Sequence, residues 1–496
     1  MFEIWKRLVL PVLLAGFSLS ALAAETHDRL LLRLQEGVDE TAFLQRIGER
    51  FARDFVIQRR LGHTLVLNFT PALPRTAAAD LAVQVDSLPE VMYAQLPGGR
   101  LQPQFVPNDA LYPNQWHLFD TYGINAQEAW DRTRGSSSVV IAQVDTGILG
   151  HEDLDSGRVL PGYDFVSDPF MANDGDGMDA DPTDPGDAVA QDECGNGNDA
   201  ADSSWHGLLV AGIMLATADN TLGVVGVDHR ARLLPVRAFG RCGGDFVDIL
   251  TGMSWAAGLP VTDEADNPIP DNPNPADVIN LSFAGSGSCD PVIQDIIDQI
   301  RARGVVLVAA AGNEGMPDMS SVLPANCTGV IAVAATTRTG DRAGYSNYGA
   351  EIEISAPGGE GFESILTLHN TGDITAEFDD YAAFNGTSMA AAQVSAAVAL
   401  MRAVDGDVSP ATVTSLLINS AQPFPGGSTC ATTICGAGIL DLDAALQQVA
   451  QSGSAAVDSG GGGCMLAGQD RHDLGLTLLL TLLLVGRLAG RRASNP

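Results

Sequence analysis

Four residues in this 496-residue chain are of types that do acid–base or nucleophilic work, and each stands at a marked place. Asp145 follows the apolar run Val139–Val144. An unpaired carboxylate at the end of a buried strand is costly, so Asp145 needs a partner. A turn or N-cap aspartate is the plain alternative. Of the eight histidines, His27 and His63 lie early and His472 late. Among the other five, only His206 opens an apolar helix, Ser203-Ser-Trp-His-Gly-Leu-Leu-Val-Ala-Gly212. Ser388, in Gly386-Thr-Ser-Met-Ala-Ala391, begins a small-residue helix. There its hydroxyl faces the positive end of the helix dipole, and the helix-end amides can bind an anion. Asn313, in Ala309-Ala-Ala-Gly-Asn-Glu-Gly315, ends an apolar run at a glycine turn, where a side-chain amide can donate to a developing oxyanion. Taken singly, these are an ordinary cap, a core histidine and a turn. Taken together they give Asp, His and Ser in that chain order with a donor Asn, the parts of a proton relay that makes a hydroxyl attack an acyl carbon.

Such groups need a frame. Val139–Val144, Leu233–Val236, Val278–Leu281, Val305–Ala311 and Val330–Ala335 are nearly continuous apolar runs, as strands buried on both faces are. Helical patterns alternate with them at Gly207–Ala216, Val247–Ala257, Val292–Arg303, Thr387–Val404 and Pro410–Ser420. Strand–helix alternation predicts an α/β fold over residues 104–450, a doubly wound and mostly parallel sheet with helices on both faces. Working groups collect at the carboxyl ends of strands in such sheets. Residues 25–103 read differently: short apolar runs at Leu30–Leu34 and Leu65–Phe69, amphipathic stretches at Glu40–Arg53 and Ala77–Val85, then Glu90-Val-Met-Tyr-Ala. The order strand, helix, strand, helix, strand predicts a small α+β unit, closed by a Gly98-Gly-Arg junction and a Gln-Pro linker.

Val144-Asp-Thr-Gly-Ile148, His206-Gly207 with Val210-Ala-Gly212, Ala311-Gly-Asn313 and Gly386-Thr-Ser-Met-Ala-Ala391 resemble the motifs of subtilisin-type serine proteases, the subtilases, over roughly residues 105–450. Ala172-Asn-Asp-Gly-Asp-Gly177, Asp192-Glu-Cys194, Pro235-Val-Arg with Cys242-Gly-Gly, and Tyr345-Ser-Asn-Tyr348 resemble an exported bacterial subgroup. The resemblance implies a serine endopeptidase in which Ser388 is the nucleophile, His206 the base, Asp145 its orienting carboxylate and Asn313 the oxyanion donor. It implies substrate contacts at Ser282, Phe283, Ala284, Gly285, Ala310 and Gly312. It also implies that the 25–103 unit is a propeptide, a folding aid and inhibitor removed on maturation. Departures from the family pattern are Leu208 and Leu209 after His-Gly, Ala392 and Gln393 after the serine motif, and Phe283-Ala284-Gly285 beside the groove. They bear on groove shape and substrate range.

The chain has seven cysteines, six in the body and Cys464 near the end. An even body count in an exported chain suggests disulfides, and six cysteines allow 15 pairings. The subgroup's order of pairing implies Cys194–Cys242, Cys289–Cys327 and Cys430–Cys435. Between Asp164 and Asp202 stand twelve acidic residues and no Lys or Arg. Asn173, Asp174, Asp176 and Asp179, spaced by glycines, resemble a hard-cation loop, with a solvated acidic loop as the alternative. A second calcium site, at Asp109, Asp153 and Asn220, is implied by the family. Structural calcium is therefore expected, and no organic cofactor.

Lys plus Arg number 27 and Asp plus Glu 61, a net charge of −34, with 45% hydrophobic and 18% charged residues. That composition supplies a large core and excludes wholesale disorder. The acidity argues against a nucleic-acid partner, which needs clustered cations. Residues 1–24 read as a cleaved export signal: Lys6 and Arg7, the apolar Leu8–Leu22, then Ala21-Leu-Ala-Ala24. Residues 451–496 carry Ser459-Gly-Gly-Gly-Gly-Cys464, an apolar Leu474–Val485 and the basic Arg487, Arg491 and Arg492, the layout of a sorting or membrane-anchoring tail. The expected protein is exported: secreted, periplasmic or held at the cell surface. Its expected partners are protein or peptide substrates, its own propeptide, and membrane or sorting machinery through the tail. Two other readings are a surface binding protein on a subtilase scaffold without turnover, and a narrow-specificity processor of an envelope partner.

Overall fold

The computed structural model describes residues 26–97, 105–195 and 197–458. The export signal, the 98–104 junction and the C-terminal tail from Ser459 lie outside the described residues. The chain divides into two compact units, Met1–Pro103 and Gln104–Pro496.

In the first unit, Glu40–Phe51 is helical because Phe43 and Ile47 fall on one face and Asp39 caps its start, accepting from the amides of Thr41 and Ala42. A second helix covers Arg75–Asp86. Both accompany a four-stranded antiparallel sheet in the spatial order Asp54–Leu61, Thr64–Pro74, Thr26–Leu34, Val91–Gln95. Leu30, Leu32, Phe43, Ile47, Leu67 and Phe69 fill the core between them. The strand Asp54–Leu61 is additional to the predicted order. It lies at the sheet edge and exposes most of its residues, Arg59 and Arg60 among them, so it carries no apolar alternation to read.

The second unit is built on a seven-stranded sheet with the order Ile354–Pro357, Val330–Thr336, Val306–Ala310, Val278–Leu281, Val140–Asp145, Arg232–Arg237, Tyr163–Asp164. Every pairing in it is parallel. Alternate residues of one strand face opposite cores, which is why both faces must be apolar. Ile141, Val278, Val308 and Val333 pack with the helices His206–Leu215 and Thr387–Val404. Val140, Ala142, Ile279 and Leu307 pack on the other side with Phe246–Ala256 and Pro291–Ala302. The architecture is the doubly wound α/β fold.

Thr387–Val404 is long and apolar enough to cross a membrane, but it lies in this core, buried continuously from Thr387 to Arg402. The edge strands Tyr163–Asp164 and Ile354–Pro357 are additions to the expected five, two and four residues long and too short to register as periodic runs. A hairpin of Ile365–Asn370 and Asp379–Phe384 leads into the Ser388 helix. The last helix, Leu442–Asp458, runs past the boundary drawn at residue 450. Disulfides join Cys194 to Cys242, Cys289 to Cys327 and Cys430 to Cys435.

Candidate active site

Asp145 ends the central strand Val140–Asp145 and is only 3% exposed. Its carboxylate Oδ1 accepts from its neighbour's amide, Thr146 N, at 2.8 Å and from His206 Nδ1 at 2.7 Å. This bond fixes the imidazole so that Nε2 is the nitrogen left to exchange a proton. His206 starts its helix immediately after Trp205, whose backbone is left-handed at φ 48°. Gly207 makes the approach between strand and helix possible: a Cβ there would lie 1.9 Å from the Gly147 carbonyl oxygen. Gln143 Nε2 donates to the Gly207 carbonyl at 2.7 Å and draws the same two segments together.

The imidazole is about a quarter exposed, at 27%. Burial alone pushes it toward the neutral form. Asp145, then Asp187 and Asp184, more than offset this, and the net direction is upward from the ordinary histidine value. Burial also pushes Asp184 up, to about 6, against the hydrogen bonds it accepts from Thr146 and Gly186.

Ser388 is the second residue of the helix Thr387–Val404, and its hydroxyl donates to the Ser282 carbonyl at 2.7 Å. In this resting arrangement it is therefore aimed at the backbone of the neighbouring segment and not at His206. Ser282 in turn sends its own hydroxyl to the Ser388 carbonyl at 3.1 Å, so the two serines hold strand end and helix start together.

Asn313 has an orientation set by Thr387. Thr387 N and Thr387 Oγ1 both donate to Asn313 Oδ1 at 2.9 Å, and Thr387 Oγ1 accepts from Gly312 N at 3.1 Å. With its carbonyl oxygen so engaged, Asn313 keeps Nδ2 as the group available to a ligand.

Asp145, His206, Asn313 and Ser388 line one cavity of about 380 Å³, together with Ser282, Phe283, Ala284, Ala310 and Gly312. Gly285 lies in the adjoining apolar cavity of about 390 Å³, which shares Phe239, Cys242, Phe283 and Ala284 with the first. The Phe239 and Phe283 rings stand 4.8 Å apart, centroid to centroid, where the two cavities meet. Leu208, Leu209, Ala392 and Gln393 line neither cavity. All four are buried in the core, Gln393 donating to the carbonyls of Pro357 and Met389. The groove departures therefore reduce to Phe283 and Ala284.

The acidic loop contains an internal ion pair. Arg237, 1% exposed, donates to Asp164 and to the Ala172 carbonyl, and also to Asp174 at 2.6 Å. Asn173 turns its amide to the Gly186 carbonyl at 2.8 Å, Asp174 accepts from Asp176 N at 3.3 Å and Asp179 from Asp181 N at 2.7 Å. A cation held by Asn173, Asp174, Asp176 and Asp179 would compete with this guanidinium for Asp174, whereas Asp176 and Asp179 have no Lys or Arg partner among the described residues. Among the described residues, no group of three or more His, Cys, Asp or Glu side chains is gathered as for a metal. Asp109 and Asp153 are different. They are 3% and 0% exposed, and neither has a Lys or Arg partner among the described residues. Asn220 links them: its amide Nδ2 donates to Asp153 at 2.6 Å and its backbone N reaches Asp109 at 3.4 Å. Two hard carboxylates and an amide fit calcium, which completes its shell from backbone carbonyls.

Thr146, Asp184, Asp187, Ser204 and Thr387 are site residues that the sequence did not mark. Each works by hydrogen-bonding a residue distant along the chain; Thr146, Ser204 and Thr387 lie inside the stretches that carry Asp145, His206 and Ser388, whereas Asp184 and Asp187 lie beside no such signal.

Comparison with known proteins places this geometry. The subtilase family model matches residues 136–455. The extracellular protease of Xanthomonas campestris pv. campestris is 40% identical over 457 residues, covering 88% of this chain and 76% of that protein. The extracellular basic protease of Dichelobacter nodosus is 39% identical, covering 76% and 62%. Subtilisin Savinase of Lederbergia lenta is 31% identical, covering 65% and 96%. A solved protease of Pseudoalteromonas arctica PAMC 21717 superposes with a TM-score of 0.66 at 43% identity, covering 70% of this chain and all of that one. The chain belongs to the subtilase family and is a serine-type endopeptidase.

Proposed function

We propose that the chain is an exported endopeptidase that cleaves polypeptides through an acyl-enzyme on Ser388. Ser388 Oγ attacks the peptide carbonyl, and His206 Nε2 takes its proton and later returns it to the leaving amine. Asp145 holds the imidazole and balances its charge. Asn313 Nδ2 and the Ser388 amide receive the oxyanion. Water then attacks the ester by the same relay and releases the acid. The observation that carries this reading is the 2.7 Å Asp145–His206 bond opening onto the cavity that Ser388 and Asn313 share. Leu208, Leu209, Ala392 and Gln393 lie in the core and outside the cavity, which supports turnover over a scaffold without it.

Export is supported by the extracellular relatives and by the three disulfides. The 25–103 unit is proposed as the propeptide and inhibitor, and the tail as its route to a membrane or sorting apparatus. Calcium would be held by Asp109, Asp153 and Asn220. Bound there, it would balance two buried negative charges and favour the folded state.

The test is intact mass of the secreted wild type beside Ser388→Ala, with fluorophosphonate labelling. Wild type is expected to lose residues ahead of about 104, to label once and to hydrolyse casein; Ser388→Ala is expected to do none of these. Wild type that neither labels nor cleaves would refute the reading.

A further inference from the structure

Trp205, the residue before the helix that carries His206, caps it with no side-chain bond, so the leading amides need partners from elsewhere. Two successive amides obtain them in the same way. His206 N donates to Ser204 Oγ at 3.3 Å, and Ser204 Oγ donates to Asp187 Oδ2 at 2.7 Å. Gly207 N donates to Thr146 Oγ1 at 3.0 Å, and Thr146 Oγ1 donates to Asp184 Oδ2 at 2.7 Å. Each chain runs amide, hydroxyl, carboxylate. Each carboxylate is itself fixed by a second bond, Asp187 Oδ1 from Ser204 N at 2.6 Å and Asp184 Oδ1 from Gly186 N at 2.9 Å.

We propose that Asp184 and Asp187 are positioning residues for His206: acting through Thr146 and Ser204, they hold the start of its helix against Asp145 and present two further negative charges to the imidazolium formed in the reaction. The inference rests on the proteolytic reading of the site and adds to its three-residue relay.

The electrostatics agree in sign. Asp145 acts on the imidazole from the strand, Asp184 and Asp187 from the acidic loop, and Glu314 lines the same cavity; among the described residues no Lys or Arg lines it. Asp184 is 3% exposed, and its charge is correspondingly little screened. The Cys194–Cys242 disulfide ties the loop that follows these carboxylates to the cavity wall at Cys242, so the bracket is anchored at both ends.

The test combines kinetics and imidazole titration. The pH dependence of kcat/KM on a peptide ester is measured for wild type, Asp187→Asn, Thr146→Val and Thr146→Ser. Removing the Asp187 charge favours neutral imidazole, so the acid limb is expected to move to lower pH by about half a unit. Thr146→Val, which cuts Asp184 from Gly207, is expected to lower kcat roughly tenfold with KM changed less than about twofold. Thr146→Ser is expected to restore it. The His206 ring is titrated by NMR in a Ser388→Ala background with and without Asp187→Asn, and the same downward shift is expected. An acid limb and ring titration that both stay put in Asp187→Asn would overturn the proposal. So would a Thr146→Val enzyme changed in melting temperature or KM alone. If wild type proves inactive, the proteolytic reading fails by itself, and the ring titration still decides whether the bracket acts on His206.

Discussion

Gly207 and Gly147 stand so close that a single methyl on Gly207 would lie 1.9 Å from the Gly147 carbonyl oxygen. The contact sets how near the His206 helix comes to the strand that ends in Asp145. Gly207→Ala is therefore expected to separate the two and to lower kcat about 10²-fold, the order that displacement of roughly an ångström costs a positioned catalytic group. Circular dichroism would establish that the variant folds. A folded Gly207→Ala variant with wild-type kcat would mean that the contact does not set the geometry.

Thr387, which also lines the cavity, fixes the orientation of Asn313. Thr387→Val removes the hydroxyl's bond to Asn313 Oδ1 and the acceptor for Gly312 N, and leaves the backbone Thr387 N alone to hold the amide. We expect kcat to fall about tenfold with KM little altered, and Thr387→Ser to recover most of it. Asn313→Ala should cost more, on the order of 10²–10³, a range that itself comes from a subtilisin. If Thr387→Val matched Asn313→Ala in full, Thr387 would be doing more than orienting the amide.

Glu353 bears on stability. Burial pushes its carboxyl up to about 7, against the bond it accepts from Ala332 N. A glutamate in the unfolded chain ionises near ~4.3, so the folded state holds this proton more tightly. Its contribution is full below that lower value and is lost as pH rises through about 7. Glu353→Gln keeps an acceptor for Ala332 N and has no charge to bury. In a Ser388→Ala background it is expected to stabilise the protein by about 1–3 kcal/mol at pH 8 and by much less at pH 4. Urea unfolding at the two pH values measures this, and equal effects at both would refute the assignment.

Chelation tests the Asp109–Asp153–Asn220 cluster. Removing calcium is expected to lower the melting temperature, and a free concentration of 100 times the dissociation constant corresponds to about 2.7 kcal/mol. Asp153→Asn should abolish the response, whereas Asp176→Asn in the acidic loop should leave it intact. A melting temperature indifferent to chelator would remove calcium from the account.

Asp145, His206, Asn313 and Ser388 were legible in the sequence because each interrupts a run of apolar or small residues where a strand or helix must end or begin. The frame was legible for the same reason, since strands buried on both faces leave continuous apolar runs. The acidic loop was not. Twelve carboxylates in one stretch look alike along the chain, and what distinguishes Asp174, Asp184 and Asp187 is which distant group each meets. Arg237 stands 63 positions from Asp174 and pairs with it, which no spacing within the loop announces. Edge strands such as Asp54–Leu61 and Ile354–Pro357 escaped because one is mostly exposed and the other is only four residues long.

Ser388, the proposed nucleophile, rides on a helix that is also the interior pillar of its unit, buried without a break from Thr387 to Arg402. A molecule whose pillar is dislodged stops cutting at the moment it becomes cuttable, because the same event scatters its reactive centre and bares its interior. Survivors then digest casualties. Heat inactivation of this enzyme should accelerate with its own concentration, and it should slow when a reversible blocker of Ser388 is present, even though such a blocker touches only one end of the pillar.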